Sequence, residues 1–330
     1  MNHKYVFVLL ISLFSIIIIS GCIEQQQSIT NVKNDTENNT DNISDSVNTT
    51  KPWLYVLTGY ENNIQQIINT PSQFLVIDAF KNTPNELFRK GEVVEFKKNH
   101  GIVLAYMSIG EAEDYRYYWK ADWQNNPPAW MGRTNPDWGS RKVKYWEPEW
   151  QNIIFEYIDR IAAQGFDGVY LDIIDGYEYW SDPDNGEDVA ISRDNAAQRM
   201  ITFISAIRDR ARRTNQNFRI FPQNSPELVR YGGYLSAIDG IGKEDTWYNG
   251  YDDRNNQGSS AILNDAEAIQ EQVSYLRAIK QAGKIVVVVD YFSIDQKDEA
   301  RDFMNKASCE GFYAYASDTR KLDDISILGK

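Results

Sequence analysis

Gly165-Phe166-Asp167-Gly168-Val169-Tyr170-Leu171-Asp172 is the stretch whose reading decides the fold of this chain. A helical run from Glu149 to Gln164 precedes it, and Gly165 can take the left-handed cap that ends such a helix. The stretch then continues as an apolar strand that stops on an acid. The same unit recurs in both directions. Strands are predicted at Leu54–Thr58, Phe74–Phe80, Ile102–Ile109, Gly168–Asp172, Arg219–Pro222, Gly240–Glu244, Ile285–Tyr291 and Gly311–Ala316. Between them lie helical patterns at Glu61–Asn69, Pro84–His100, Glu149–Gln164, Ser192–Thr214, Pro226–Tyr234, Asn264–Ala282 and Gln296–Ala307. Strand and helix in strict alternation predict an α/β domain with a parallel sheet. Eight strands suit one closed (β/α)8 TIM barrel, a single domain over residues 52–330. The alternative, an open doubly wound sheet, would carry Gly-x-Gly-x-x-Gly after its first strand, and that fingerprint is absent.

In a barrel of this kind the chemistry sits where strands run out on the C-terminal face. Here those ends are polar: Asp78; Ser108 and Glu111; Tyr170 and Asp172, then Asp175; Gln223 and Asn224; Glu244; Asp290 and Tyr291; Ser317 and Asp318. A single acid after a strand commonly caps the next helix, which is the bland reading for Asp175 and Asp318. Acids at five or six ends converging on one mouth raise one another's pKa, a cost that stability alone does not favour. Hydrolysis of a glycosidic bond needs two carboxyls, about 5 Å apart for a nucleophile with an acid/base, or about 6.5–9.5 Å with a water between. Asp172 and Glu244 end strands with one strand between them, so they can face each other. The short Asp suits the nucleophile and the longer Glu the proton donor. Substrate contacts are expected from Asp78, Ser108, Glu111, Tyr170, Asp175, Tyr177, Gln223, Asn224, Trp247, Asp290 and Tyr291. Most of the abundant Trp and Tyr residues in the loops are assigned to packing, with Tyr177, Trp180 and Trp247 assigned to the cleft.

Scarcity excludes other chemistry. His100 is the one histidine beyond His3, so neither a Ser-His-Asp triad nor a multi-histidine zinc site can form. His100 is expected at the bottom face, away from the mouth. Two cysteines, Cys22 and Cys309, leave no disulfide within the domain, and Cys309 is expected to be buried. No cofactor and no metal site are predicted. A net charge of −13 and a pI near 4.7 disfavour nucleic acid as a partner. The domain is expected to act as a monomer.

The N-terminus has its own logic. Lys4, an apolar run from Tyr5 to Ile19, and Ile19-Ser20-Gly21-Cys22 form the n-region, h-region and cleavage site of an export signal over residues 1–21. Cys22 then becomes the lipidated residue of a lipoprotein, with a membrane signal anchor as the alternative. Residues 22–51, rich in Asn, Thr, Asp and Ser, cannot bury a core and are read as a disordered tether. Both readings put the domain on the extracellular face of the membrane.

Several segments together resemble glycoside hydrolase family 114, the endo-α-1,4-polygalactosaminidase group and its prokaryotic relatives. They are Leu75-Val76-Ile77-Asp78, Ala105-Tyr106-Met107-Ser108-Ile109-Gly110-Glu111-Ala112-Glu113, Trp146-Glu147-Pro148-Glu149-Trp150, Gly165 to Asp172, Pro222-Gln223-Asn224 and the segment around Glu244. The resemblance implies a (β/α)8 fold, a catalytic Asp at Asp172 and a catalytic Glu at Glu244. It also implies a polysaccharide substrate of α-1,4-linked galactosamine, a cationic amino-sugar polymer that would give an acidic mouth its purpose. A catalytically inactive glycan-binding barrel is the competing reading.

Overall fold

A computed structural model describes residues 53–328 apart from residues 82, 84, 85, 255–258 and 327. The export signal, Cys22 and the tether lie outside the described residues. Among the described residues no helix is long and apolar enough to cross a membrane.

Eight parallel strands are laid down in chain order: β1 (Trp53–Tyr55), β2 (Ser72–Asp78), β3 (His100–Ser108), β4 (Gly168–Asp172), β5 (Arg219–Pro222), β6 (Gly240–Glu244), β7 (Ile285–Tyr291) and β8 (Tyr313–Ser317). Ladders join β1 through β5 in sequence, and a second set joins β6, β7 and β8. The two arcs meet where Gln223 bridges to Gly242, with Asn224 N–H donating to the Gly242 carbonyl at 2.8 Å and Asp239 N–H to that of Ile220 at 2.9 Å. On the far side the Trp53 indole N–H reaches the Val288 carbonyl at 3.0 Å, and its ring lies 5.8 Å from that of Tyr315. The eight strands thus enclose one core as a (β/α)8 barrel.

Aromatic rings fill that core. Phe74 lies between Phe221 and Tyr313 near the bottom, and Tyr170 sits higher, beside Trp53 and Tyr55. Glycines on β6 make this possible. A methyl group at Gly240 would fall 2.2 Å from the Phe221 ring, and one at Gly242 would fall 1.8 Å from the Tyr170 hydroxyl. Two residues further along, the same side of β6 presents Glu244 to the mouth.

The outer helices are α1 (Tyr60–Asn69), α2 (Lys90–Lys97), α3 (Pro148–Gln164), α4 (Arg193–Arg212), α5 (Ala266–Gln281) and α6 (Lys297–Glu310). On α3 the residues Trp150, Ile154, Tyr157, Ile158 and Ile161 form one buried stripe at helical spacing. The predicted helix Pro84–His100 is shorter than expected. The Arg89 N–H donates to the Glu92 carboxylate at 2.7 Å, a capping contact that starts α2 at Lys90, and His100 already belongs to β3. Between β5 and β6 the predicted helix Pro226–Tyr234 becomes a 3₁₀ turn at Pro226–Arg230 and a single turn at Tyr234–Ala237.

His100 is buried at the bottom, between the Ser72 hydroxyl at 2.6 Å and the Ile67 carbonyl at 3.0 Å. Burial pulls its pKa down to about 4, so it stays neutral and structural. Cys309 corrects an expectation: it is exposed. Helix α6 buries Ala300, Phe303 and Ala307, and position 309 rotates away from that stripe.

Candidate active site

A cleft of about 760 Å³ opens at the C-terminal ends of the strands. Of the predicted contacts, Asp78, Ser108, Glu111, Asp172, Asp175, Gln223, Asn224, Glu244 and Tyr291 line it together. A further cavity of about 420 Å³ continues past Glu244, sharing Asp175, Asn224 and Glu244 with the cleft.

Asp172 ends β4. Its Oδ2 accepts from the Tyr106 hydroxyl at 2.6 Å, and its Oδ1 from the Ile173 N–H at 2.8 Å. Glu244 ends β6 as a richly solvated carboxylate whose solvent is protein. Oε2 accepts from the Gln223 amide and from Asn224 Nδ2 at 3.0 Å, while Oε1 accepts from the Tyr291 hydroxyl at 2.5 Å. Burial, then the charge of Glu244, push the Asp172 carboxyl up to about 8, with the two hydrogen bonds opposing. That is the direction expected of a buried carboxyl that faces a second one. Asp175 is open to cleft water yet enclosed by its walls. It is pushed up to about 6 by that enclosure and by Glu178, Glu111 and Glu244, against the opposing charge of Lys142.

Strain marks the same places. Ile173, Asn224, Ser225 and Asp245, which follow Asp172, Gln223 and Glu244, all take positive φ, between 50° and 68°. Left-handed backbone costs a non-glycine residue about 1–2 kcal/mol, and for β-branched Ile173 it is uncommon. Such strain gathers where a side chain must be aimed.

The raised Asp172 pKa carries a sign. A carboxyl that binds its proton more tightly folded than unfolded loses stability for the fold as pH climbs from the ordinary value of 3.8 through about 8. Below that ordinary value both states are protonated and the cost vanishes. Asp172→Asn is therefore expected to melt several degrees above the wild type at pH 8, with the gain shrinking towards zero near pH 4. Thermal melts across that range check it; a gain that does not change with pH contradicts the assignment.

Four predicted contacts do not line the cleft. Asp290 is buried and accepts the N–H groups of Thr246, Trp247 and Tyr248 at 2.7–2.9 Å, securing the turn after Glu244. Adjacent strand residues point to opposite faces, so Tyr291 and Asp290 cannot both meet the cleft. That turn lays the Trp247 ring against Phe303 and Phe312, outside the barrel. Tyr177 is buried, with its hydroxyl on Glu227. Tyr170 shares a face with Asp172 but lies one layer down, as core. Trp180, also assigned to the cleft, packs on Trp146 with its N–H on the Val143 carbonyl.

Other residues take their places. Tyr55, Tyr106, Glu113, Tyr115, Arg116, Trp138, Arg254 and Arg320 also line the cleft. Arg116 is buried between Asp78 at 2.8 Å and Glu113 at 2.7 Å. Arg320 bonds Asp245 at 2.6 Å and lies over the Tyr291 ring. Glu111 is held by Asn135, Ser140 and Lys142. Trp138 stands 60% exposed at the tip of a turn in the small antiparallel sheet formed by Glu111–Ala112, Arg141–Val143 and Met131–Thr134, with Arg254 over its ring at 4.5 Å. Strand alternation alone could have found Tyr106, two residues before Ser108; nothing local marked Arg116 or Trp138. Among the described residues no group of three or more His, Cys, Asp or Glu side chains is arranged to hold a metal ion.

The acids thus divide into two sets. Asp78, Glu111 and Glu113 are neutralised by Arg or Lys, whereas Asp172, Asp175 and Glu244 at the centre have no basic side chain bonded to them among the described residues. Such a centre can transfer a proton and receive a cation.

A sequence profile of glycoside-hydrolase family GH114 matches residues 33–328. The chain is 38% identical to an uncharacterised protein of Methanocaldococcus jannaschii, covering 97% of this chain and 91% of that one. It is 32% identical to an uncharacterised protein of Thermotoga maritima, over 84% and 83% of the two chains. Among solved structures it is similar to the glycoside hydrolase domain of PelA from Pseudomonas aeruginosa, with TM-score 0.63, 18% identity, and coverage of 84% and 97%. It is also similar to Ega3 of Aspergillus fumigatus in complex with galactosamine, with TM-score 0.58, 17% identity, and coverage of 88% and 98%. At these identities the two structures speak for the fold.

Proposed function

The chain belongs to glycoside-hydrolase family GH114, and from that premise we propose that it cleaves an α-1,4-linked, galactosamine-containing polysaccharide within the chain, with retention of configuration. The observation that carries this is the central trio Asp172, Asp175 and Glu244, which faces one cleft with no basic side chain bonded to it among the described residues. A sugar bearing a free ammonium would give that trio a cation to hold. Ega3, which shares the fold, is described in complex with galactosamine.

In this reading Asp172 attacks the anomeric carbon and Glu244 protonates the glycosidic oxygen, then activates water for the second step. A protonated carboxyl cannot attack, so Asp172, whose pKa is raised, must give up its proton before the first step. The substrate can drive that shift. An ammonium on C2 sits on the carbon next to the anomeric one, close to an attacking Asp172, and an adjacent cation favours the ionised carboxyl. The raised Asp172 pKa and the three donors on Glu244 also favour a second reading, in which Glu244 is the nucleophile and Asp172 the acid. The test of function is a panel of polysaccharides assayed for new reducing ends. A partly N-acetylated galactosamine polymer is expected to respond and neutral glucans not to; binding without turnover on every member would support an inactive glycan-binding barrel instead.

Trp138 supports an extended site, since sugar rings stack their C–H faces on aromatic rings. Trp138→Ala is expected to raise KM on polymer about fivefold to tenfold, about 1 kcal/mol of binding, with kcat little changed. Steady-state kinetics check this, and because the indole is exposed the melting temperature should not move. The sequence before the domain supports export and lipidation at Cys22, which would hold the enzyme on the outer face of a membrane beside an extracellular polymer.

A further inference from the structure

We propose that Tyr55 is a positioning residue for this reaction, fixing which end of the Gln223 amide meets Glu244. The proposal rests on the reading of Asp172 and Glu244 as the reacting pair.

A glutamine amide has two ends of nearly equal size and opposite character, one donating and one accepting. With its NH₂ towards Glu244, Gln223 supports a carboxylate; turned over, its oxygen would accept from a carboxylic acid. Gln223 is buried, so its neighbours rather than solvent decide the orientation. The Tyr55 hydroxyl, buried at the end of β1, donates to Gln223 Oε1 at 2.8 Å. Burial keeps that phenol protonated, and therefore a donor. The bond sends the NH₂ of Gln223 to Glu244. Asn224 is fixed differently: its Oδ1 accepts the N–H of Glu244 itself at 3.1 Å, which turns its own NH₂ to the carboxylate. Of the two amides on Glu244, only Gln223 takes its direction from a third residue. The other charged or titratable groups facing Glu244 are Asp172 and Tyr170 from β4, Asp175 after it, Lys243 and Asp245 alongside, Tyr291 from β7 and Arg320 beyond β8. Tyr55→Phe leaves all of these in place.

The experiment compares pH–rate profiles of wild type, Tyr55→Phe, Gln223→Met and the double variant, alongside carboxyl carbon NMR titrations without substrate. With the lock removed the amide can turn and support the protonated Glu244. The upper limb of kcat is expected to move up by about one pH unit in Tyr55→Phe, with KM within about twofold of wild type. Gln223→Met should move it the same way, and the double variant no further than Gln223→Met, since Tyr55 acts through that amide. Superimposable profiles, or additive shifts, would overturn the proposal; if Tyr55→Phe does not fold, an unmoved limb in Gln223→Met does so alone. The NMR titration separates the two levels. A raised Glu244 pKa in Tyr55→Phe supports the positioning role even if full activity of Glu244→Gln removes that carboxyl from the chemistry.

Discussion

Asp172→Asn and Glu244→Gln are each expected to cut the release of reducing ends from polymer at least about 10³-fold, equivalent to about 4 kcal/mol of barrier. Each removes a function that the other cannot supply. Without one carboxyl there is no attacking group, and without the other the leaving oxygen departs as an alkoxide. The variants also sort the roles. With a sugar carrying an activated leaving group, protonation of the departing oxygen is dispensable. If Glu244 is the acid, Glu244→Gln should still show a rapid burst of leaving group, while Asp172→Asn should not. The reverse pattern would exchange the two assignments, in line with the raised pKa of Asp172. Normal turnover of polymer by either variant would end the case for this pair. Loss of fold is not the expected confusion for Asp172→Asn, because it replaces a buried carboxyl whose pKa is raised by burial and by Glu244 with a neutral amide and should melt higher towards pH 8.

Arg116→Met is expected to be the most damaging single change to stability. Arg116 is 4% exposed and bonds both Asp78 and Glu113, so its removal leaves two buried carboxyls without their cation, Asp78 holding only the Phe80 N–H and Glu113 the Tyr115 hydroxyl among the described side-chain contacts. Breaking a buried ion pair in this way costs about 3–5 kcal/mol. In a domain of this size that is a fall of about 10 °C in melting temperature. The loss should reach activity too, because Arg116 ties the loop after β3 to the end of β2 and so builds one wall of the cleft. Combining it with Asp78→Asn and Glu113→Gln should recover much of the stability, since the penalty lies in the stranded charges. A single variant within about 1 kcal/mol of wild type would show that water reaches the pair and that Arg116 is not a keystone.

The sequence was most informative where the physics is local. Four of the eight strands, β4, β5, β6 and β7, follow from apolar runs and their flanking residues with both ends unchanged, and the other four differ by up to three residues at an end. Lone His100, without a partner for catalysis, is indeed a structural residue below the sheet. Prediction was weaker where one residue could serve either of two faces. Asp290 and Tyr291 are adjacent on one strand, so only one could reach the cleft. Tyr177, Trp180 and Trp247 were drawn to the cleft by aromatic character, yet large rings next to a barrel are as useful for covering it.

Residue order alone, through periodicity, turn glycines and the scarcity of histidine and cysteine, determined an α/β barrel whose acidic strand ends would carry any chemistry. Those signals are local, and a strand end names the mouth of the barrel without knowing its neighbours. Tertiary structure alone decided which acids are neutralised and which are left bare. Asp78 and Asp172 look alike at the ends of their strands, but Arg116 reaches one from 38 positions away and Glu244 faces the other from 72. Charge pairing depends on distance in space, which the chain discloses only once it has closed.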